Sequence, residues 1–178
     1  GYSLQPPTNP NLFDIATVAD GMTSVIGDIR DENGLAIAMR DAHPEIVIHM
    51  AAQSTISDSY INPTHSYAIN VMGTVNVLEA ARLTQDLKVI INVTTDKCYE
   101  ARDEDCVFYE TDPQGGNDPY SNSKACSELV TLAYKNSFFN PDNYSEHGVA
   151  IASVRNGNVI GGGDWGKNRL IPDMIRAV

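Results

Sequence analysis

Hydrophobic and polar residues follow one another along the chain in two kinds of segment. The first kind is short, continuous and rich in β-branched residues, and it occupies residues 24–29, 45–51, 87–94 and 149–154. Runs of this kind are typical of strands that are buried on both faces of a parallel sheet. The pattern therefore predicts buried β-strands in these four segments.

Between these runs lie segments whose apolar residues recur every three or four positions, as on one face of a helix. They predict helices over residues 31–42, 63–84, 119–138 and 170–178. Asp31 suits an N-cap and Pro119 suits a first helical turn, while the Pro- and Asn-rich stretch 5–11 predicts a loop. Because strands and helices alternate, the fold class is predicted to be α/β, with a parallel sheet that carries helices on its faces.

Small or polar residues stand at the end of each predicted strand. In open parallel sheets, ligands bind at the carboxyl ends of the strands. The four ends carry Gly27-Asp28-Ile29, Ala51-Ala52-Gln53-Ser54, Thr94-Thr95-Asp96-Lys97 and Arg155-Asn156-Gly157-Asn158. Together they favour a nucleotide-binding crevice at this edge, whereas any one of them alone is the ordinary start of a loop.

Composition narrows the classes of partner. The 178 residues include 23 acidic and 12 basic side chains, for a net charge of −11, which argues against binding a nucleic-acid backbone. No apolar run approaches the roughly 18 residues of a membrane span. Three cysteines without a CxxC pair and four scattered histidines predict no metal site and a reducing, cytoplasmic location.

A tyrosine and a lysine stand four positions apart in the predicted helix 119–138. At this spacing Tyr120 and Lys124 lie on one helix face. An ammonium beside a phenol stabilises the phenolate and lowers the tyrosine pKa from about 10 toward neutrality. Such a phenolate takes a proton from an alcohol while hydride leaves the same carbon, so the pair predicts redox chemistry at an alcohol.

Hydroxyl, carboxyl and amine groups leave the third predicted strand together at Thr94-Thr95-Asp96-Lys97. Thr95 is suited to hydrogen-bond a reacting oxygen. Asp96 donates a proton if its carboxyl is held neutral, and Lys97 accepts one if burial lowers its pKa. The alternative is that Asp96 and Lys97 form a solvated ion pair worth less than about 1 kcal/mol.

With these motifs in order, the chain resembles the extended short-chain dehydrogenase/reductase family, which has a Rossmann-like doubly wound parallel sheet and binds NAD. The resemblance rests on residues 27–31, 49–53 and 155–161, and on Thr95 followed by Tyr120-x-x-x-Lys124. Thr95-Asp96-Lys97 is similar to the triplet of the nucleotide-sugar 4,6-dehydratases, where the epimerase branch carries small residues. Residues 95–100, 118–124 and Gly161-Gly162-Gly163-Asp164-Trp165 look most like the dehydratases that act on CDP-glucose.

The resemblance implies conversion of CDP-glucose to CDP-4-keto-6-deoxyglucose and water, with NAD used but not consumed. This reaction belongs to deoxysugar synthesis for surface polysaccharide such as the lipopolysaccharide O-antigen, and the full-length enzyme is expected to be a homodimer or a higher homo-oligomer. In this scheme Tyr120 deprotonates the glucose 4-hydroxyl, while Thr95 and Lys124 orient and polarise. Lys97 removes the C5 proton and Asp96 protonates the departing 6-hydroxyl, a division of roles that stays open because it reverses their resting charges.

The resemblance also implies the binding residues. Those for NAD are Asp28, Ile29, Ala51, Ala52, Gln53, Thr94, Tyr120 and Lys124. Those for the sugar nucleotide are Ser54, Asn158 and Arg169, with a helix-start surface charge as the alternative for Arg169.

Two parts of the family pattern are missing from residues 1–178. The glycine-rich fingerprint that holds the dinucleotide pyrophosphate is expected before Gly1, and a substrate-closing region is expected after Val178. We therefore predict one NAD-binding Rossmann-like domain, present as a fragment. Two alternatives remain: another nucleotide-sugar dehydratase or an epimerase, and a non-catalytic Rossmann fragment that binds or dimerises through helices 63–84 and 119–138.

Overall fold

A computed structural model describes residues 1–100, 102 and 106–178. These residues form two compact units. The terminal unit comprises residues 1–28 and 158–178, and the central unit comprises residues 29–157. The acidic run 103–105, for which the sequence predicts a solvated loop, lies outside the described residues. A single domain over residues 1–178 stays a prediction.

The elements alternate between strand and helix along the chain. The strands are β1 (Tyr2–Ser3), β2 (Val25–Ile26), β3 (Ile46–His49), β4 (Val89–Val93) and β5 (Ala150–Val154). The α-helices are α1 (Leu12–Ile15), α2 (Glu32–Ala42), α3 (Ile56–Ile61), α4 (Pro63–Tyr67), α5 (Gly73–Arg82), α6 (Pro119–Phe138), α7 (Tyr144–His147) and α8 (Leu170–Arg176). A π-helical stretch (Ala68–Met72) joins α4 to α5, and 3₁₀ turns cover Asp96–Cys98 and Pro141–Asn143.

The central unit is built on a parallel sheet in the order β3–β4–β5. Val89 of β4 pairs with Ile46 of β3 on one side and with Ala150 of β5 on the other. Each strand lies within its predicted apolar run, so the predicted α/β class with parallel strands is confirmed.

Helices α5 and α6 cover one face of this sheet. Leu78 of α5, Ile90 of β4 and Ile151 of β5 are buried in a common apolar core. On the opposite face the β3 side chains of Ile46 and Ile48 are each 57% exposed. The prediction that these strands are buried on both faces is therefore wrong for β3, whose outer face has no helix against it within the described part of the central unit. It is also wrong for β5, where alternate residues including Val154 are exposed, and for β2, where Val25 and Ile26 are both exposed.

The helices of the central unit begin at polar caps. The carboxylate of Asp31 accepts from the backbone N–H of Gly34 at 3.0 Å, and Asp118 accepts from Ser121 in the same way at 2.9 Å. Helix α6 has the predicted bounds because its cap and first-turn proline are local signals.

The predicted helix over 63–84 is continuous in the chain but not uniform. Its middle is the π-helical stretch, in which the buried Asn70 accepts from the backbone N–H of Gln53 at 2.8 Å and donates to the Gln53 carbonyl at 3.0 Å. A π-helical turn carries one residue more than an α-turn. That extra residue accompanies the inward placement of Asn70, whose side-chain amide pairs with the backbone of the loop after β3.

The terminal unit contains a second, two-stranded parallel sheet. Tyr2 pairs with Val25, and Ser3 pairs with Ile26. Helix α8 begins at the predicted Leu170 and ends at Arg176. Within the described ranges, no helix is both long enough and apolar enough to cross a membrane.

Candidate active site

The candidate site lies where the strands of the central unit end. Helix α6 packs along β4, and its residue Lys124 is buried with 4% exposure. The Lys124 ammonium donates to the carbonyl oxygen of Val93, the last residue of β4, at 2.9 Å. This bond fixes the first half of α6 beside the turn that follows β4.

The electrostatics of Lys124 follow from its burial. Desolvation lowers the pKa of Lys124 to about 8, although the neighbouring Glu128 carboxylate opposes the change. The group is therefore mostly charged at neutral pH. The Lys124 ammonium has three N–H donors, and one of them bonds the Val93 carbonyl. Lys124 therefore keeps donors for the hydroxyls of a ligand.

Tyr120 lies in the first turn of α6 and is half-buried. Lys124 follows it by four positions, so both side chains leave the same face of the helix. The hydroxyl of Ser123 donates to the Tyr120 carbonyl at 2.7 Å. The helix start is held further by the Ser121 hydroxyl, which donates to Asp118 at 2.6 Å.

The turn after β4 carries the other three predicted catalytic residues. Thr95 is buried, and its hydroxyl donates to Asp96 Oδ1 at 3.1 Å. The Lys97 ammonium lies 3.3 Å from the same oxygen, with side-chain exposures of 37% for Lys97 and 53% for Asp96. The ion pair considered as the alternative for these residues is thus present, and it is open enough for a substrate to reach both groups.

The segment after β3 approaches the site with small side chains. Ala51 and Ala52 are half-buried. Gln53 makes contacts within the chain: its amide donates to the carbonyl of Thr55 at 2.8 Å and its amide oxygen accepts from Ser66 at 3.1 Å. The Gln53 side chain therefore shapes this loop, a contact that sequence reasoning did not anticipate.

A buried polar layer lies beneath the site. His49 Nε2 is 3.0 Å from the Thr74 hydroxyl, which is 3.0 Å from the Ser127 hydroxyl. Asn92 donates to Ser127 at 2.9 Å. Burial and the nearby charge of Lys124 lower the pKa of His49 to about 4, so the imidazole is neutral. The layer links β3, β4, α5 and α6 without adding charge.

Sequence reasoning missed a buried ion pair beside the site. Glu128 lies one helical turn after Lys124, and its carboxylate accepts from the Arg155 guanidinium at 2.6 Å. The available signal was the continuation of the Tyr120–Lys124 spacing by four more residues, which places Glu128 on the same face of α6.

Not every predicted binding residue belongs to this arrangement. Asp28, Asn158 and Arg169 lie in the terminal unit, where Arg169 pairs with Asp164 at 3.1 Å. Ile29 is buried in the central unit, and its carbonyl accepts from Asn76 at 2.9 Å. The predicted roles of these four residues toward NAD or the sugar nucleotide stay predictions.

Comparison with known proteins identifies the family of the chain. The model of the GDP-mannose 4,6 dehydratase family matches residues 10–142, which is more than half of the chain. The chain belongs to the GDP-mannose 4,6-dehydratase family. It is 54% identical over 177 residues to a CDP-glucose 4,6-dehydratase of Salmonella typhimurium, covering 99% of this chain and 49% of that protein. The chain thus spans about half the length of this curated relative.

Solved structures of similar dehydratases and epimerases confirm the predicted Rossmann-like class. A dTDP-glucose 4,6-dehydratase from Streptomyces venezuelae, solved with NAD bound, superposes with a TM-score of 0.78 at 28% identity, over 92% of this chain and 47% of that one. A UDP-glucose 4-epimerase from Thermus thermophilus gives a TM-score of 0.72 at 29% identity, over 84% of this chain and 45% of the epimerase.

Proposed function

We propose that the whole protein converts CDP-glucose to CDP-4-keto-6-deoxyglucose and water with NAD as its cofactor. The observation that carries the proposal is the Lys124–Val93 hydrogen bond of 2.9 Å. It brings helix α6, which carries Tyr120 and Lys124, to the last residue of β4. The turn with Thr95 and Asp96 follows that residue directly. A cytoplasmic location and a part in making deoxysugars for surface polysaccharide belong to the same proposal.

Tyr120 is the group that accepts the proton of the sugar 4-hydroxyl. A phenol accepts it only when its phenolate is stabilised, and Lys124 on the same helix face supplies the positive charge. Thr95 is buried just after β4, and its hydroxyl, which donates to Asp96 Oδ1 in this structure, turns to donate its hydrogen to the reacting oxygen at C4 when the sugar is bound. The oxygen is thereby held between two elements, the strand end and the helix.

The described residues fit NAD. Ala51 and Ala52 are small enough for a ligand to approach the backbone after β3, and Lys124 keeps N–H donors for ribose hydroxyls. Thr94 and Gln53 border the same edge. When bound there, NAD supplies the acceptor for hydride from C4 and the donor of hydride to C6.

Asp96 and Lys97, in the turn after β4, carry out the loss of water. A proton first passes from the Lys97 ammonium to Asp96 Oδ1, 3.3 Å away, which leaves Lys97 neutral and Asp96 protonated. The ketone at C4 acidifies the C5 hydrogen, and the neutral Lys97 amine removes it as a proton. The C5–H electron pair forms the C5=C6 bond, the C6–O bond breaks, and Asp96 protonates the departing hydroxyl to give water. The two groups belong to a single 3₁₀ turn, in which Asp96 Oδ1 accepts from the Lys97 ammonium at 3.3 Å and from the Thr95 hydroxyl at 3.1 Å.

The choice of the cytidine nucleotide rests on the 54% identity with the Salmonella enzyme. The test uses the protein extended to the full length of that relative, with NAD and CDP-glucose, dTDP-glucose or UDP-glucose as separate substrates. We expect the 4-keto product, followed by its ultraviolet absorbance in alkali, from CDP-glucose. No product from CDP-glucose would contradict the proposal, and product from another sugar nucleotide alone would reassign the substrate.

The competing function is nucleotide-sugar epimerisation, which is supported by the similarity to a UDP-glucose 4-epimerase structure. Epimerisation needs Tyr120 and Lys124 but no acid for water loss. Asp96→Asn is therefore expected to lower dehydration at least about 100-fold, whereas an epimerase would keep most of its rate. Asp41→Asn is the matched control, because Asp41 also pairs with an adjacent cation, Arg40, far from the turn; its activity should match that of the parent.

We further propose a homodimer formed through helix α6, which is also the surface that a non-catalytic binding module would use. Leu129 and Leu132 lie three residues apart on α6 and are 57% and 50% exposed, and Met72 of the neighbouring π-helical stretch is 54% exposed. A helix face of this kind is stabilised by covering it with a second copy. Sedimentation of the full-length protein as a monomer at micromolar concentration would rule out this dimer.

A further inference from the structure

One carboxylate beside the candidate site accepts hydrogen bonds from four side chains in three separate segments of the chain. Glu128 accepts from the Thr94 hydroxyl at 2.5 Å, from the Gln114 amide at 2.6 Å and from Arg155 at 2.6 Å. The Cys98 thiol lies 3.5 Å from its Oε1. These residues come from the end of β4 with the 3₁₀ turn that follows it, the loop before α6 and the end of β5.

Two of these partners flank the residues assigned to water loss. Thr94 immediately precedes Thr95, Asp96 and Lys97, and Cys98 immediately follows them. Glu128 therefore holds both ends of this five-residue segment, while its own helix carries Lys124 one turn earlier. The segment is fixed further by the backbone N–H of Asp96, which donates to the Asn156 carbonyl at 2.9 Å.

Arg155 fixes the orientation of the Glu128 carboxylate and pairs with its charge. Its Nε–H group donates to both carboxylate oxygens, with Nε–O distances of 2.9 and 3.0 Å, and its Cζ lies 4.6 Å from the centre of the Tyr99 ring. Burial by itself opposes the charge on Glu128, but the hydrogen bonds from Arg155 and Thr94 outweigh it and hold the pKa of Glu128 below its usual value. The carboxylate therefore accepts from all four side chains at neutral pH.

We propose that Glu128 is a positioning residue that fixes the Asp96–Lys97 turn relative to Lys124, so that its loss slows water elimination more than oxidation at C4. The inference rests on the proposed dehydratase function and names a determinant of that reaction outside the groups that touch the substrate. It follows from the geometry, because Glu128 lies on α6 with Lys124, while Thr94 and Cys98, which donate to it, bound the segment that carries Asp96 and Lys97.

The test compares Glu128→Gln with the parent in the full-length protein. The matched control is Glu79→Gln, since Glu79 also forms an ion pair with an arginine, Arg82 at 2.5 Å, but on α5. Single turnover of CDP-glucose with bound NAD separates the steps: absorbance at 340 nm reports C4 oxidation, and ultraviolet absorbance in alkali reports the 4-keto product. Amide hydrogen exchange without cofactor reports the turn itself.

We expect Glu128→Gln to form product at least tenfold more slowly, with C4 oxidation changed less than threefold and 340-nm absorbance accumulating during turnover. Hydrogen exchange should accelerate over 94–99 and around Gln114 only. Glu79→Gln should change neither measurement. A parent that does not convert CDP-glucose refutes the proposed function; a Glu128→Gln variant that matches its active parent, or that loses both steps equally without accumulation at 340 nm, refutes the positioning role.

A second variant decides the case in which Glu128→Gln does not fold. Gln114→Met removes one donor to Glu128 but keeps the ion pair with Arg155, and it also removes the buried Gln114 Oε1, which has no partner among the described residues. The positioning role predicts the same accumulation at 340 nm, smaller in size. Unchanged kinetics and unchanged exchange over 94–99 in Gln114→Met would overturn it.

Discussion

Replacing Lys124 with methionine is expected to stabilise the folded chain although it removes a group assigned to catalysis. The ammonium is 4% exposed, and burial lowers its pKa from 10.5 to about 8. This difference corresponds to about 3 kcal/mol of unfavourable free energy for keeping the charge in the folded state. Methionine fills a similar volume without a charge, so it avoids that cost.

The gain is reduced by one lost hydrogen bond. Lys124 donates to the Val93 carbonyl at 2.9 Å, and leaving this acceptor without a donor costs about 1 kcal/mol. The net stabilisation of Lys124→Met at pH 7 is therefore about 2 kcal/mol. For a chain of this size, that is about 4–8 °C in the midpoint of thermal unfolding.

The pH dependence of this difference has a definite sign. The folded lysine loses its proton near pH 8 and the unfolded lysine near pH 10.5, so between these values the unfolded state binds more protons and the stability of the parent rises with pH. The advantage of Lys124→Met is complete below pH 8 and shrinks above it. It reverses at about pH 10, where the remaining cost of the charge falls below that of the lost hydrogen bond.

The assay is urea unfolding of this chain and its variants, followed by circular dichroism at several pH values from 7 to 10.5. Lys88→Met is the matched control, because Lys88 is exposed and its hydrogen bond to Glu45 raises rather than lowers its pKa. That variant should show no gain at pH 7 and no reversal. A Lys124→Met chain that is less stable than the parent at pH 7, or a difference that does not change between pH 8 and 10.5, would refute the reasoning.

Three further outcomes are expected. Glu128→Ala leaves the buried Arg155 unpaired and should lower the free energy of unfolding by about 3–5 kcal/mol, against less than about 1 kcal/mol for the half-exposed Glu79→Ala, both by urea unfolding. Gly148→Ala should lower the free energy of unfolding by about 1–2 kcal/mol in the same assay, because its φ is positive. Gly116→Ala should lower it further, because φ is positive there too and the added Cβ would lie only 2.6 Å from a backbone atom of Ser121. Leu129→Glu should convert the proposed dimer to a monomer in sedimentation, since it places a charge on an exposed apolar helix face; a dimer that persists would exclude this surface.

Local signals explain what could be predicted from the sequence. The bounds of α6 follow from the capping side chain of Asp118 and the proline after it, both of which act within one helical turn. The strands follow from continuous β-branched runs. The five proposed catalytic residues lie on two neighbouring elements, the turn after β4 and helix α6, because parallel strands bring their carboxyl ends to one edge.

Contacts between distant segments explain what could not be predicted. The π-helical stretch depends on the hydrogen bonds of Asn70 to Gln53, 17 residues away. The Glu128–Arg155 pair joins residues 27 apart. Neither shows in apolar periodicity, because a buried polar side chain at such positions interrupts the pattern that marks the core. The exposure of β3 was likewise missed, since a continuous apolar run has no feature that tells one covered face from two.

The outer face of β3 has a practical consequence for handling the chain. Ile46 and Ile48, each 57% exposed, and the adjoining Met50, 70% exposed, line up on one side of the strand. A contiguous apolar strip in contact with water binds hydrophobic dyes, recruits chaperones during synthesis and favours self-association as concentration rises. Polar replacements on this strip are therefore expected to reduce self-association of the chain, and they leave Thr95 and Lys124 unchanged.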